Sequence, residues 1–170
     1  GVSFDGTGYG TDGTIWGGEL ILAREDGFRR LGSIQPFLQL GGDASAREGW
    51  RIAVSMIYAL TKDRAATLDI IRKLALCEEN TAKVQLTMAD RRINAVRSTS
   101  AGRLFDGVSA ILGIRTASTF EGEASTALQY RAEAWNKAHP STNVIPLEAP
   151  EMDAKGFLTL PTDRLVQDIL

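Results

Sequence analysis

Two aspartates, Asp5 and Asp12, lie in a glycine-rich segment between two apolar runs, in the sequence VSFDGTGYGTDGTIWGGELIL at positions 2–22. Carboxylate oxygens are preferred ligands of hard divalent cations. Glycine lacks a Cβ atom, so it lets another group approach the main chain closely, and successive turn amides can form a concave site for phosphate oxygens. The segment therefore predicts a site for a small polar ligand beside Asp5, at the end of a strand.

Three common motifs do not explain this segment. Residues 8–13 match G-x-G-x-x-G, but strand-like residues follow them, whereas a dinucleotide fingerprint opens a helix. The chain has no G-x-x-x-x-G-K-S/T loop. A calcium loop beginning at Asp5 does not fit, because its third, fifth and twelfth positions are Thr7, Tyr9 and Trp16. A phosphate-binding hairpin of the actin-like ATPase type remains, and a purely structural hairpin, in which Asp and Gly form the turn, is the alternative.

A second candidate region is the start of a predicted helix, in STSAGRLFDGVSAILG. Gly102 permits close backbone approach there, and the first amides of a helix attract anions. Asp106 is predicted to accept hydrogen bonds from a ribose; alternatively it stabilises the helix dipole, by about 0.3–1 kcal/mol. In FEGEA, Glu121 and Gly122 are weaker candidates, because a capping box between Ser118 and Glu121 already accounts for that glutamate.

Other polar residues have simpler interpretations. The Gly41–Asp43 turn with Arg47 and Arg51 is either a loop over a ligand or, as composition favours, a helix cap followed by solvated arginines. Cys77 is predicted to be a small buried side chain, and His139 to end a helix. With one histidine and one cysteine in 170 residues, the chain can hold neither a multi-histidine site nor an internal disulfide.

The elements that must position these residues follow from hydrophobic periodicity, which predicts an α/β fold with an N-terminal hairpin, a small sheet and a helical remainder. Asp43 is expected to cap the first helix. The predicted elements are a hairpin with a long glycine-rich connection between strands near residues 2–5 and 15–22, a strand within 29–39, three helices between 44 and 92, a connector over 93–97, a helix from 101 that ends at Gly113, a helix from Ser118 to His139, one short strand in the 140–161 tail and a helix beginning at Asp163.

Composition restricts the function classes. Hydrophobic residues make up 44% of the chain and charged residues 24%, as in a globular domain. The net charge of −2 argues against broad binding to nucleic acid or anionic membranes. No apolar stretch approaches the ~18 residues of a membrane span, and a single cysteine fits a reducing, cytoplasmic compartment. We therefore expect no nucleic-acid or membrane partner.

Four motifs in order along the chain, FDGTGYGTDGTIWGGE, GGDASARE, STSAGRLFD and FEGEA, resemble the HypF carbamoyltransferases that mature nickel–iron hydrogenases. The resemblance covers most of the chain. It implies that residues 1–170 are a single-domain fragment of the family's TsaD-like domain, with an actin-like, RNase H-type architecture. The family's acylphosphatase, zinc-finger and adenylate-forming domains would then lie outside this chain.

The resemblance also implies a reaction. In this family the TsaD-like domain binds carbamoyl-adenylate, made from ATP and carbamoyl phosphate, and transfers the carbamoyl group to the C-terminal cysteine of HypE, on the way to a cyanide ligand. By resemblance, Asp5 is a ligand of a divalent metal (Zn, Fe or Mg) whose other ligands lie outside the chain. The nucleotide contacts implied by resemblance are Gly6, Thr7, Gly8, Gly10, Gly102, Asp106, Glu121 and Gly122.

Two alternatives remain open: an O-carbamoyltransferase of the antibiotic-tailoring type, from the same superfamily, and a non-catalytic interaction fragment with a structural hairpin. We expect the isolated fragment to be inactive and to bind metal weakly. We also expect it to form a homodimer, because an incomplete lobe leaves apolar surface uncovered. The terminal apolar residues expected to be available are Leu165, Val166, Ile169 and Leu170.

Overall fold

The computed structural model describes residues 1–140 and 148–170, and within them it shows the predicted α/β fold. The strands are β1 (Val2–Tyr9), β2 (Ile15–Arg24), β3 (Gly27–Ile34), β4 (Phe37–Leu40), β5 (Ala95–Ser98), β6 (Glu151–Met152) and β7 (Leu158–Leu160). The helices are α1 (Gly49–Thr61), α2 (Arg64–Leu74), α3 (Glu79–Arg91), α4 (Ala101–Ile111), α5 (Glu123–Ala138) and α6 (Thr162–Ile169), with a 3₁₀ helix at Gly42–Ala46.

Strand β2 is the centre of the mixed sheet. It pairs antiparallel with β1 and with β3, and its first residue, Ile15, pairs parallel with Ser98 of β5. The sheet continues through β4 beside β5, and through β7 and β6 beside β3, in the order β4-β5-β2-β3-β7-β6. The segments at the N-terminus, the middle and the C-terminus of the chain therefore meet around β2.

The hairpin is present, but its connection is short. Strand β1 runs through the glycines to Tyr9, and a tight turn follows, in which the Gly10 amide donates to the Thr14 carbonyl at 2.9 Å. A Cβ atom at Gly10 would lie 2.2 Å from Nε1 of Trp16. The predicted long connection was wrong, and Gly10 makes room for the indole ring of Trp16 on the neighbouring strand.

Helix α1 forms the middle of the hydrophobic core. Ile52, Val54 and Ile57 are fully buried, and they pack with Ile71 of α2 and Leu86 of α3. The helical spacing seen in the sequence is therefore confirmed for these three helices, because each turns one apolar face toward the others. Among the helices of the described ranges, none combines the length and the hydropathy needed to cross a bilayer.

Several element boundaries differ from expectation. The strand predicted within residues 29–39 is two strands that separate at Gln35–Pro36, and the predicted connector contains β5. Asp43 does not cap α1; it lies in the 3₁₀ helix, whose N-cap is Gly41. The tail has two short strands instead of one, and its residues 141–147 lie outside the described residues.

The start of α5 also corrects the sequence analysis. The helix begins at Glu123, not near Ser118, and Gly122 is its N-cap with φ 77°. The Glu123 carboxylate accepts hydrogen bonds from the Thr119 amide at 2.6 Å and hydroxyl at 2.9 Å, and these bonds hold the pKa of Glu123 below its usual value. Glu123 therefore closes this turn, and the capping box assigned to Ser118 and Glu121 is wrong.

Candidate functional site

The segment Asp5–Thr7 forms a bulge in β1. The pairs that flank it place these three residues opposite the single residue Gly17 of β2, so the backbone leaves the ladder here. Asp5 and Thr7 are exposed. Oδ1 of Asp5 accepts a hydrogen bond from the Gly6 amide at 2.6 Å. Oδ2 of Asp5 has no hydrogen-bond partner among the described residues. The predicted metal-ligating aspartate thus lies on an exposed, irregular piece of strand.

The N-terminus of α4 packs directly against this bulge. The N-cap hydroxyl of Ser100 accepts from the Arg103 amide at 3.1 Å and donates to the Gly6 carbonyl. A Cβ atom at Gly102 would lie 2.8 Å from Cα of Gly6, and one at Gly17 would lie 2.5 Å from the Asp5 carbonyl oxygen. The structure therefore brings together the two regions that the sequence singled out, the glycine segment and the start of α4.

Gly6 differs from the glycines around it. A Cβ atom there would meet no other atom within 4 Å, and its φ lies outside the left-handed region. By contrast, a Cβ at Gly8 would lie 3.2 Å from the Trp16 carbonyl oxygen, and Gly10 underlies the Trp16 ring. Packing thus explains Gly8 and Gly10, whereas at Gly6 the absence of a side chain leaves open space beside Asp5, as the approach of a ligand to the backbone would require.

Asp106 lies in a different environment from the bulge. It is 4% exposed, Nε of Arg103 lies 2.6 Å from its Oδ2, and burial raises its pKa although Arg103 opposes this. A Cβ atom at Gly49 of α1 would lie 2.7 Å from the Asp106 carbonyl oxygen. The residue belongs to the α1–α4 interface in this structure, and its contact with a ribose stays a prediction.

Glu121 and Gly122 lie in the turn before α5. Glu121 is exposed. The left-handed backbone conformation of Gly122 explains why this position is a glycine. Their contact with a nucleotide also stays a prediction.

A buried ionic network on the central strand was missed by the sequence analysis. Glu19 is 3% exposed; its Oε2 lies 2.5 Å from Nε of Arg30, and its Oε1 accepts from the Gly17 amide at 3.2 Å and from the Thr99 hydroxyl. Arg30 also donates to Asp12 at 3.2 Å and to Thr99 at 3.1 Å. An acid inside the apolar run of β2 was the available signal, since a buried carboxylate requires partners.

Asp12 has the geometry of a turn-forming residue. Its Oδ1 accepts from the Thr14 amide at 3.0 Å, the Thr14 hydroxyl at 2.6 Å and the Trp16 indole at 3.0 Å. Partial burial acts to raise its pKa, but these hydrogen bonds and Arg30 lower it overall. These hydrogen bonds give Asp12 a structural role in the turn.

Potential metal ligands are not clustered in the part of the chain that the structure describes. Within residues 1–140 and 148–170, no group of three or more His, Cys, Asp or Glu side chains could hold a metal ion. His139 is at the end of α5, where its ring stacks on Trp135 with centroids 4.5 Å apart. Metal binding by Asp5 stays a prediction.

Of the two arginines after the Gly41–Asp43 turn, Arg51 has structural contacts and Arg47 is exposed. The Arg51 guanidinium lies over the Trp50 ring, 4.4 Å from its centroid, and donates to Gln85 Oε1 at 3.1 Å. These contacts tie α1 to α3 and account for Arg51 without a ligand.

A family comparison is consistent with this geometry. The family described as the second subdomain of the carbamoyltransferase Kae1-like domain matches residues 1–169. The chain belongs to this family. The HypF resemblance seen in the motifs is thereby confirmed at the level of the family.

Individual HypF proteins are similar over about three quarters of the chain. The carbamoyltransferase HypF homolog of Cupriavidus necator is 39% identical over 130 residues, which are 76% of this chain and 32% of that protein. The carbamoyltransferase HypF of Rhodobacter capsulatus is 40% identical over 129 residues, 75% of this chain and 16% of that protein. The chain thus spans between about a sixth and a third of the length of these relatives.

Two solved structures share the fold. A full-length HypF in the phosphate- and nucleotide-bound form has a TM-score of 0.75 at 23% identity, and HypF of T. kodakarensis has a TM-score of 0.77 at 22% identity. Each covers 99% of this chain, and this chain corresponds to 21% of each. The architecture described above is therefore that of a Kae1-like domain of HypF.

Proposed function

We propose that this chain is part of a HypF-type carbamoyltransferase, and that the Asp5–Thr7 bulge and the N-terminus of α4 face the phosphate of a carbamoyl-adenylate. The observation that carries the proposal is the open space at Gly6, beside an exposed carboxylate and against a helix N-terminus. Helix N-termini and irregular backbone with free amides favour anions. The names of the relatives favour HypF over an O-carbamoyltransferase of the antibiotic-tailoring type or a non-catalytic fragment.

The role proposed for Asp5 is to hold a divalent metal together with ligands supplied from outside this chain. Such a metal, when bound, would neutralise phosphate charge. The exposed carboxylate has one oxygen in a bond to the Gly6 amide, which fixes its direction. Gly6 leaves room for the ligand, and the amides at the start of α4 add a second region of positive potential on the same side.

The proposed transfer needs no nucleophile from this chain. The C-terminal cysteine thiolate of HypE attacks the carbamoyl carbon, a carbon–sulfur bond forms, and the bond between the carbamoyl carbon and the AMP oxygen breaks, with AMP leaving as an anion. Cys77 does not suit this step, because it is partly buried and burial raises the pKa of its thiol. The chain's residues would stabilise the leaving phosphate.

The proposal is tested in the full-length protein with the variant Asp5→Asn and the control Asp26→Asn, which changes an exposed acid in the β2–β3 turn. Carbamoylation of HypE and release of AMP are measured at saturating and limiting ATP. We expect Asp5→Asn to lower kcat/KM by about 10- to 100-fold, because losing a contact between charged groups costs about 1.5–3 kcal/mol, and Asp26→Asn to have no effect. Equal rates for both variants and the unaltered protein would reject the proposal.

A further inference from the structure

Glu19 contacts residues that adjoin both segments of the candidate site. Its Oε1 accepts a hydrogen bond from the amide of Gly17, the residue that lies opposite the β1 bulge. The same oxygen accepts from the hydroxyl of Thr99, the residue that precedes the α4 N-cap, Ser100. One buried carboxylate thus connects the strand beneath the bulge with the segment that leads into α4.

The position of this carboxylate is itself tightly determined. Nε of Arg30 lies 2.5 Å from Oε2 of Glu19. The guanidinium group is 4.3 Å from the Trp16 ring centroid and 5.4 Å from that of Phe157, and it also bonds Asp12. A planar guanidinium held by two rings and two carboxylates offers its donors in a fixed direction, so the Glu19 carboxylate has little freedom to move.

A continuous set of hydrogen bonds joins the β1 bulge, strand β2 and the segment before α4 beneath the candidate site. Ser100 donates to the Gly6 carbonyl, and its neighbour Thr99 donates to Glu19. Glu19 in turn accepts from Gly17, which lies opposite Gly6 and its neighbours. A shift of the carboxylate would therefore change the separation between the bulge and α4, even though Glu19 is buried and would not contact a ligand in the site.

We propose that Glu19, held by Arg30, is a positioning residue that sets the spacing between the Asp5–Thr7 bulge and the N-terminus of α4. Its consequence for ligand binding rests on the proposed function. Its effect on the geometry does not, because that can be measured without any ligand.

The test compares Glu19→Gln with the matched control Glu25→Gln, an exposed glutamate in the β2–β3 turn, in the full-length protein. Glutamine keeps the shape of the side chain but removes its charge. It also replaces one carboxylate oxygen with an NH2 group, which cannot accept a hydrogen bond from Arg30. Hydrogen exchange without ligand is followed in peptides that cover residues 3–9 and 99–103, and in α2 and α3 as an internal reference. Binding of ATP is titrated in parallel.

We expect Glu19→Gln to raise exchange in the two site peptides but not in α2 or α3, and to raise the Kd for ATP by about 10- to 100-fold, the range for loss of an outer-sphere partner. Glu25→Gln should change neither. Unchanged exchange, or faster exchange spread evenly over the chain, would overturn the proposal. Faster local exchange with an unchanged Kd would overturn the consequence for ligand binding.

Two further measurements keep the outcomes separate. If Glu19→Gln does not fold, Thr99→Val removes one hydrogen bond to Glu19 while keeping the ion pair, and it should raise exchange in residues 99–103. If the unaltered protein does not protect the bulge peptide when ATP binds, the proposed function fails, while the ligand-free exchange still decides the role of Glu19.

Discussion

A Cβ atom added to Gly102 would lie 2.8 Å from Cα of Gly6, so the start of α4 and the β1 bulge are in backbone contact. The contact explains why residue 102 is glycine, whereas a side chain at Gly6 would point into open space. Replacement by alanine is therefore expected to lower stability at Gly102 and to leave stability nearly unchanged at Gly6.

Gly102→Ala should destabilise the chain, because the new methyl group meets a backbone atom that cannot move aside cheaply; overpacking of this kind costs about 1–3 kcal/mol. Gly6→Ala should leave stability nearly unchanged, since its Cβ enters open space at an ordinary φ, but should weaken ATP binding in the full-length protein. Urea denaturation and an ATP titration of both variants provide the measurements. A Gly6→Ala variant with unaltered affinity would argue against a ligand at this position.

Asp106 predicts a pH dependence of stability with a definite sign. Burial raises its folded-state pKa above the unfolded value of 3.8, so the folded state binds more protons in the window just above that value. The contribution of Asp106 to the free energy of unfolding is therefore fully present below the pKa of the unfolded state. It is lost as the pH rises through the higher pKa of the folded state. In denaturation at several pH values between 4 and 7, the unaltered chain should lose stability relative to Asp106→Asn as the pH increases. A constant difference between the two would contradict this.

Metal binding by the isolated 170-residue chain should be weak. Asp5 is a single exposed carboxylate, and within the described ranges no cluster of three potential ligands exists. Since metal sites depend on several ligands acting together, calorimetry with zinc or magnesium should show no tight stoichiometric binding. A site of submicromolar affinity that is lost in Asp5→Asn would show that this chain alone completes the site.

Association of the isolated chain is also predicted. Val2 is 66% exposed and Phe4 is 64% exposed, and they line an apolar cavity of about 230 Å³ with Leu158 and Leu160. The terminal helix contributes less than expected, because Val166 is buried in the chain's own core. Light scattering at increasing concentration should show a dimer, and Phe4→Glu should shift it toward monomer. A chain that stays monomeric at high concentration would contradict this prediction.

Local patterns in the sequence determined most of the helices and the presence of the hairpin. The apolar spacing of α1 and of the helix that begins at residue 101 depends on residues within one or two turns, so both helices could be predicted without tertiary information. The motifs were sufficient for the family, because four of them occur in order along the chain. The ion pair between Arg103 and Asp106 is equally local, but it was not predicted, because Asp106 was assigned only to a ribose or to the helix dipole.

What the sequence left undecided depends on residues far apart along the chain. The glycine-rich segment predicted a long loop because glycine is permissive, whereas in the structure Gly10 makes room for the Trp16 ring and Gly8 lies against the Trp16 carbonyl. The contact between Gly6 and Gly102, and the bond from Thr99 to Glu19, join positions separated by at least 80 residues. Such contacts form only when the sheet and helices assemble, so only the tertiary structure decided which glycines serve packing and which one faces open space.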